Sequence, residues 1–405
     1  MDSFDSALNF LKERRQRILE GKINCIPLPF KRYSVWFPGI EKARYAIITA
    51  SQKVGKSKLA DFLCIYDPLF YSIEHPEQLK FKVLYFTLEM SKEEKFFDFL
   101  CHLLYRLDGI RIGTLDLKST NKDKPLPQEI LDKLESEKYK FYIDKFKECV
   151  TFIDDIKNPT GVNKFCREFA LNNGTLYKKT VHTKDELGNP VERQIIDRFE
   201  WNDPDCYYMI LMDNYSNLMS ESGMDKRATI EKMSKYFITL RDQMKYSIIA
   251  IQHQAQDKEG IESIKLNRLY PTSDGLADCK TTVRDIDMLI GLYSPFKYGL
   301  QDHEKYDITR FQNNIRFMQI LEDRNNGGGG QICPLYFDGA SSYFSELPRP
   351  DNKKEIDKVL DYIEKVVRRK ASPVFMVLPS KEKNKEENNL HIWLYNHIFA
   401  NLKIL

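Results

Sequence analysis

Short runs of apolar residues alternate along this chain with stretches in which apolar positions recur at helical spacing. A continuous apolar run is typical of a strand that a parallel sheet buries on both faces, and the amphipathic stretches between the runs are typical of covering helices. The predicted strands are residues 45–49, 82–87, 149–153, 207–213, 247–251, 286–293 and 315–321. This order predicts an α/β fold with a mostly parallel central sheet flanked by helices.

Three segments lie outside this core pattern. Residues 4–19 form an amphipathic helix whose narrow apolar stripe packs either on its own domain or on a neighbouring subunit, and the sequence leaves both readings open. Residues 174–202 alternate polar and β-branched positions around a turn, which predicts an inserted, solvent-facing β-hairpin. The predicted domains are an N-terminal helix and subunit linker (1–40), a core (41–348) and a charged helical C-terminal extension (349–405).

Composition narrows the class of protein. Of the 405 residues, 42% are apolar and 30% are charged, and no apolar run approaches the ~18 residues that a membrane-spanning helix needs. The N-terminus carries no apolar signal-peptide core. The eight cysteines are scattered singly, which indicates neither a zinc site nor a disulfide framework and favours a reducing cytosol. A net charge of +3 is too small to indicate nucleic-acid binding by itself.

The strongest chemical signal is the segment 50–57, ASQKVGKS, between the first strand and a helix-like stretch. A tight turn there points successive backbone N–H groups and the positive helix end at one spot, which makes an anion site. Gly55 lets the backbone approach phosphates, Lys56 reaches the β- and γ-phosphates, and the Ser57 hydroxyl holds Mg²⁺. The alternative reading is an ordinary strand-to-helix turn. The predicted ATP-binding loop also includes Ser51, Lys53 and Val54.

Polar side chains also follow three other predicted strands at their carboxyl ends, where open α/β sheets bind their ligands. Glu89 follows the second strand, although an isolated glutamate there would be read as a solvated carboxylate. Asp213 ends a fully apolar run, so we predict a positive partner for it, most simply Mg²⁺ held by Ser57. His253 has a glutamine on each side, which favours a γ-phosphate sensor over a structural histidine.

Two cationic features complete the candidate site. Arg324 stands at the end of the last predicted core strand, before four glycines, where it can meet a phosphate of its own site or of a neighbour's. Residues 256–280 form a long loop rich in charged and turn residues, whose cations can track a DNA backbone. A solvated surface loop is the alternative reading. The DNA-binding candidates are Lys258, Lys265, Arg268 and Lys280.

Over residues 10–348 these motifs resemble the motor domain of DnaB-like hexameric replicative helicases, the RecA-like superfamily 4 group. The matching segments occur in the family's order: the linker 17–29, ASQKVGKS at 50–57, FTLEMS at 86–91, VTFIDD at 150–155, MILMDNYSNLM at 209–219, IIAIQHQ at 248–254 and EDRNNG at 322–327. The family also tolerates alanine at the first loop position, which is Ala50 here.

The resemblance implies a RecA-like P-loop core and a role for each candidate. Glu89 is implied to polarise the attacking water, Asp213 to be the Walker B acid, His253 the sensor, and Arg324 the arginine finger offered to the next subunit. ATP and Mg²⁺ are the implied cofactors. Single-stranded DNA, identical subunits of a hexamer, and a primase or loader are the implied partners of a 5′–3′ helicase in the cytoplasm, without a membrane partner.

The chain departs from the family pattern in two respects. The family often has a lysine where Glu322 stands, two residues before the arginine, which places the strength of activation between subunits in question. The chain also lacks room for the family's N-terminal primase-binding domain, and this stripped architecture is expected of a phage or mobile-element version.

Three functional hypotheses follow from the sequence. The first is an ATP-driven ring translocase that unwinds DNA. The second is a RecA-like ATPase that binds single-stranded DNA in recombination or helicase loading without processive unwinding. The third is a catalytically weak scaffold or virion component that keeps the fold.

Overall fold

The computed structural model describes residues 3–184, 190–255, 269–325 and 329–367. Its strands are β1 (Cys25–Pro27), β2 (Gly39–Glu41), β3 (Tyr45–Ala50), β4 (Lys80–Thr87), β5 (Val150–Ile153), β6 (Gly174–Lys184), β7 (Pro190–Trp201), β8 (Cys206–Asp213), β9 (Ser247–His253), β10 (Met288–Tyr293), β11 (Asp302–His303), β12 (Tyr306–Asp307), β13 (Ile315–Asp323), β14 (Ile332–Asp338) and β15 (Tyr343–Glu346).

The α-helices of the same residues cover both faces of the sheet. They are α1 (Ser3–Leu19), α2 (Lys56–Asp61), α3 (Asp67–Glu74), α4 (Lys92–Asp108), α5 (Thr114–Leu117), α6 (Gln128–Glu135), α7 (Glu137–Cys149), α8 (Pro159–Asn172), α9 (Lys226–Met244), α10 (Ile308–Phe311) and α11 (Lys353–Tyr362). A π-helical segment, Phe62–Tyr66, joins α2 to α3, so the helix that begins at Lys56 continues to Glu74.

The central sheet has nine strands in the order β15-β14-β13-β10-β3-β9-β8-β4-β5. The strands from β10 to β5 pair in parallel, whereas β13, β14 and β15 add an antiparallel edge. The predicted α/β fold with a mostly parallel sheet is therefore confirmed. Each predicted core strand is present, although β10 begins at Met288 rather than at residue 286 and β13 continues to Asp323.

The core lies in two apolar layers, one on each face of the sheet. All eight residues of β8 are buried, as its continuous apolar run predicts. Phe237 and Met233 of α9 pack with Ile210 on one face, and Phe99 of α4 packs with Leu211 on the other. The alternation of side chains along a strand supplies both layers from one segment.

The segments outside the core pattern attach to it to different degrees. The linker packs closely, since β1 pairs with β2 and Phe30 is completely buried. β6 and β7 form an antiparallel hairpin at the predicted insertion, and Trp201 at its base stacks on Tyr208 with ring centroids 3.7 Å apart. Helix α1, in contrast, is held by the ion pairs Arg17–Asp205 and Arg14–Glu41, and its apolar side chains remain exposed. Among the described helices, none combines the length and apolar character needed to cross a membrane.

Candidate nucleotide-binding site

The segment predicted to bind phosphates forms a tight turn between β3 and α2. Gly55 has φ +105°, a left-handed conformation that favours glycine, and a Cβ there would lie 3.2 Å from the Phe337 ring. Lys53 also has a positive φ, of 60°. The turn precedes a continuous helix, so its N–H groups and the helix N-terminus are available to an anion.

Lys56 and Ser51 are linked within this turn. The Lys56 side chain is buried, and its Nζ donates to the Ser51 carbonyl oxygen at 2.9 Å. The Ser51 hydroxyl accepts from the hydroxyl of Tyr298 at 2.7 Å. Tyr298 lies in the 3-10 turn Pro295–Tyr298, which follows β10, the strand beside β3. It was not predicted, because nothing in its local sequence distinguishes it from other tyrosines.

Asp213 at the carboxyl end of β8 has a positive partner that the sequence reading did not foresee. Its Oδ2 accepts from Lys95 Nζ at 3.1 Å, and Lys95 also pairs with Asp61 Oδ2 at 3.0 Å. The Tyr85 hydroxyl donates to Asp61 Oδ1 at 2.7 Å. The predicted role of Asp213 in holding Mg²⁺ stays a prediction; within the chain, Lys95 of α4 is a positive partner that already meets the carboxylate.

The ionisation of this buried cluster follows from its charges. Burial by itself lowers the pKa of Lys95, but the carboxylates of Asp61 and Asp213 outweigh burial and raise it above its usual value. Burial raises the pKa of Asp61, and Lys95 opposes that rise. Lys95 stands four residues before Phe99, on the apolar face of α4, and this spacing is the signal that could have identified it as a buried lysine.

The residues present fit a magnesium ion held mainly by phosphates and water. Asp213 Oδ1 is buried and has no hydrogen-bond partner, so one carboxylate oxygen is left for a metal-bound water. Ser57 lies in the first turn of α2, half-buried. No group of three or more His, Cys, Asp or Glu side chains in the described ranges forms a metal cage. Mg²⁺ that arrives with a nucleotide does not require such a cage.

Glu89 and His253 are joined by a residue that the sequence reading missed. The Asn214 side-chain amide donates to Glu89 Oε2 and lies 3.2 Å from His253 Nε2. Asn214 is buried, whereas Glu89 is exposed after β4. Burial, and secondly the charge of Lys56, lower the pKa of His253 to about 4, so the ring is neutral at physiological pH. The neutral ring can accept from Asn214 at Nε2.

Arg324 lies at the opposite edge of the sheet from the phosphate loop. β13 is antiparallel to β10, so its last residue, Asp323, pairs with Met288, the first residue of β10, which in turn pairs with Ala46 near the start of β3. The loop follows the far end of β3, and a six-residue strand spans roughly 20 Å. Among the described residues, the structure therefore places Arg324 at the opposite end of the sheet from the nucleotide-site candidates of its own chain.

The Arg324 side chain is half-exposed, and its guanidinium group contacts its own chain. Its Nη2 donates to the Arg284 carbonyl oxygen, and its Nη1 lies 3.8 Å from Asp287 Oδ1.

Of the four DNA-binding candidates, Lys258, Lys265 and Arg268 lie outside the described residues. Lys280 is exposed at the start of a 3-10 turn. The segment before it is hydrogen-bonded to β9, the strand that ends at His253. Ala277 N donates to the His253 carbonyl at 2.8 Å, and Gln252 Nε2 donates to the Cys279 carbonyl at 2.8 Å. Lys280 thus connects through three residues to the strand that carries His253.

Comparisons with known proteins place this geometry in a fold class. No family model and no curated protein matches the chain. Among solved structures it is similar to one described as an ATPase domain, with 16% identity and a TM-score of 0.59 over 86% of this chain and all of that domain. It is also similar to a DnaB-like replicative helicase described with its interactions with primase, with 16% identity and a TM-score of 0.57 over 86% of this chain and 68% of that one.

These likenesses show the fold. The chain has a RecA-like α/β fold, similar to that of the solved DnaB-like helicase. The resemblance predicted from the motifs is confirmed at the level of the fold.

Proposed function

We propose that the protein is an ATP-hydrolysing motor of DNA replication that moves on single-stranded DNA, with its nucleotide sites at subunit junctions of a homo-hexameric ring. The similar helicase structures and the phosphate loop support this proposal. The single observation that carries it is the position of Arg324, half-exposed at the sheet edge opposite its own loop. A cation so placed serves a nucleotide only if that nucleotide belongs to another chain.

Each site residue has a part in this proposal. The loop N–H groups and Lys56 bind the β- and γ-phosphates. The Ser57 hydroxyl would hold Mg²⁺, and Asp213 Oδ1 would hold a water bound to it. Magnesium, when bound, offsets phosphate charge. Glu89 orients and polarises the attacking water, and His253 senses the γ-phosphate. The neighbour's guanidinium, equivalent to Arg324, stabilises the charge that develops on the transferred phosphoryl group.

Helix α1 supports assembly of several chains. Phe4, Leu11 and Leu19 are 69%, 62% and 63% exposed, although the helical spacing of the apolar residues predicts burial. An apolar stripe that its own domain leaves uncovered is a candidate surface for the next subunit. Of the two readings left open by the sequence, the proposal takes donation to a neighbour.

The remaining parts of the proposal follow the resemblance. We expect 5′–3′ movement, a primase or loader as a transient partner, and action in the cytoplasm. Lys258, Lys265, Arg268 and Lys280 are the proposed DNA contacts. Lys280 supports this choice because its segment is bonded to the His253 strand, which gives loss of the γ-phosphate a short route to the DNA loop.

A RecA-like ATPase that forms open filaments on single-stranded DNA is the second candidate. The same two observations favour it, because an arginine that acts on the next chain and an uncovered apolar helix serve a filament as well as a ring. The two candidates differ in whether the assembly closes and in whether it displaces a paired strand.

The deciding experiment measures the mass of the assembly with a non-hydrolysable ATP analogue and a short DNA strand. Closed hexamers with strand-displacing activity are expected. Open filaments without displacement would favour the second candidate, and a stable monomer that ignores ATP would contradict both. Mixing Lys56→Ala chains with Arg324→Ala chains then tests the junction. Interfaces at which one chain has an intact Lys56 and the next chain an intact Arg324 should recover ATP hydrolysis. No recovery at any mixing ratio would contradict a role of Arg324 at the neighbouring chain's nucleotide.

A further inference from the structure

Arg316, the second residue of β13, is an arginine buried beneath the phosphate loop. Its side chain is 2% exposed, and it is the largest by volume among the fully buried side chains of the described residues. Among those residues no carboxylate forms an ion pair with it, and burial alone lowers its pKa to about 9. A buried charge without a counter-charge is costly, so a lone guanidinium at this position requires a physical reason.

The contacts of Arg316 attach it to the loop. Its Nε donates to the Val54 carbonyl oxygen at 2.7 Å. Its Nη1 donates to the Ile315 and Asn313 carbonyls at 2.7 and 2.9 Å, and its Nη2 donates to Asn313 Oδ1 at 2.9 Å. The guanidinium carbon lies 4.5 Å from the centre of the Phe337 ring, the ring that also lies against Gly55. These contacts fix the orientation of the group while leaving its charge unneutralised.

The bond to Val54 acts on the anion site through one peptide unit. The Val54 carbonyl and the Gly55 N–H belong to the same planar trans peptide, so they point in opposite directions. A cation bound to the oxygen therefore turns the Gly55 N–H away from Arg316. It also withdraws electron density from that amide, which strengthens it as a donor to an anion.

We propose that Arg316 is a positioning residue for the polyphosphate of a bound nucleotide. It holds the Val54–Gly55 peptide with its N–H toward the phosphates, and its buried positive charge attracts their negative charge. The inference rests on the proposed nucleotide-binding function. It goes beyond that function because it assigns a phosphate-dependent role to a side chain that lies behind the loop and touches no ligand.

The proposal predicts a dependence on phosphate charge. Arg316→Gln keeps hydrogen-bond donors but removes the charge, so ATP, ADP and inorganic pyrophosphate should bind about tenfold more weakly, as expected for one charge acting across roughly 10 Å at an effective dielectric constant of about 20. Adenosine, which carries no phosphate, should bind equally to both proteins. Arg316→Lys keeps the charge and should bind the three anions more tightly than Arg316→Gln.

The experiment is isothermal titration of the full chain with ATP, pyrophosphate and adenosine, combined with melting curves for each variant. Arg310→Gln is the matched control, since it makes the same charge change at a half-exposed arginine paired with Asp357. Equal losses for adenosine and pyrophosphate, or a folded Arg316→Gln that binds pyrophosphate as the wild type does, would overturn the inference. If Arg316→Gln does not fold, a folded Arg316→Lys with a tenfold loss for pyrophosphate would also overturn it. Failure of the wild type to bind ATP would instead overturn the proposed function.

Discussion

The two ends of strand β13 carry arginines with opposite environments. Arg316 at the start is buried under the phosphate loop and bonded to its backbone, whereas Arg324, just after the last residue, has half of its side chain exposed at the other sheet edge. Both are cations suited to phosphate. Under the proposed function, one strand supplies its own nucleotide site at one end and a neighbouring chain's site at the other.

The two edges also differ in how their charged groups are paired. At the loop edge, Lys95, Asp61, Asp213 and Tyr85 form a buried network in which Lys95 pairs with both carboxylates, while Asp213 Oδ1 has no hydrogen-bond partner. At the far edge, Asp287 accepts from Arg241 at 3.0 Å and lies 3.8 Å from Arg324, which leaves the guanidinium only partly engaged. Changes at the loop edge should therefore cost stability of the single chain, and changes at the far edge should affect only the assembled enzyme.

The largest expected effect is at the far edge. Arg324→Ala should lower DNA-stimulated ATP hydrolysis about 10³-fold, as for loss of an arginine finger, while nucleotide affinity and melting temperature stay unchanged. Steady-state hydrolysis and a fluorescent-nucleotide titration measure the two effects. Arg310→Ala, a charge-matched change at a half-exposed site, should alter neither quantity. A large fall in melting temperature for Arg324→Ala would contradict the contrast between the two edges.

The second-largest effect is expected in the buried network of Lys95, Asp61, Asp213 and Tyr85 at the loop edge. Lys95→Met leaves two buried carboxylates without their cation and should lower the free energy of unfolding by about 3 kcal/mol. Urea denaturation measures the loss. Lys92→Met removes a lysine from the same first turn of α4, where the side chain is exposed, and should cost less than about 1 kcal/mol. Adding Asp61→Asn to Lys95→Met should recover part of the loss, and equal losses for the two lysines would argue against the network.

A smaller effect is expected at Glu89, which belongs to the loop edge but is exposed. Glu89→Gln should slow hydrolysis about 10²-fold by removing the group that polarises water, with ATP binding retained. Single-turnover hydrolysis with a separate binding titration distinguishes the two steps. Glu93→Gln, a neighbouring exposed glutamate, should leave both unchanged. Unchanged hydrolysis in Glu89→Gln would favour the scaffold hypothesis.

The smallest effect concerns pH. The pKa of His253 is about 4 in the folded chain against 6.5 for the free group, so the unfolded chain binds more protons between these values. Stability is therefore lost as pH falls from 6.5 towards 4. His253→Gln should reduce the loss between pH 7 and pH 5 by about 1 kcal/mol or less, allowing for partial exposure. Burial lowers the pKa of His102 to about 3, so both proteins still lose some stability as the pH falls. If urea denaturation gives the same dependence of unfolding free energy on pH for both proteins, a buried neutral His253 is contradicted.

The loop, the strands and the acids at their ends could be predicted because each leaves a local signal. ASQKVGKS has a fixed spacing, and the run that ends at Asp213 is apolar throughout. The roles of Lys95, Asn214 and Arg316 could not be predicted. Helical spacing marks Lys95 as buried but does not give its partners, and an asparagine after a strand and an arginine within one are each common. Their roles depend on partners far along the chain: Arg316 and Val54 are 262 residues apart.

The sequence by itself determined the class of fold, the position of the phosphate loop and the set of polar groups at the carboxyl ends of the parallel strands, since all three are written in local periodicity and spacing. Only the tertiary structure decided which cation meets Asp213, which residue joins Glu89 to His253, and that Arg316 and Arg324 lie at opposite ends of the sheet. The physical reason is strand direction. Because β13 runs antiparallel to β10, its first residues lie beside the carboxyl end of β10 and its last residue lies beside the start of β10, and pairing of distant strands sets that direction.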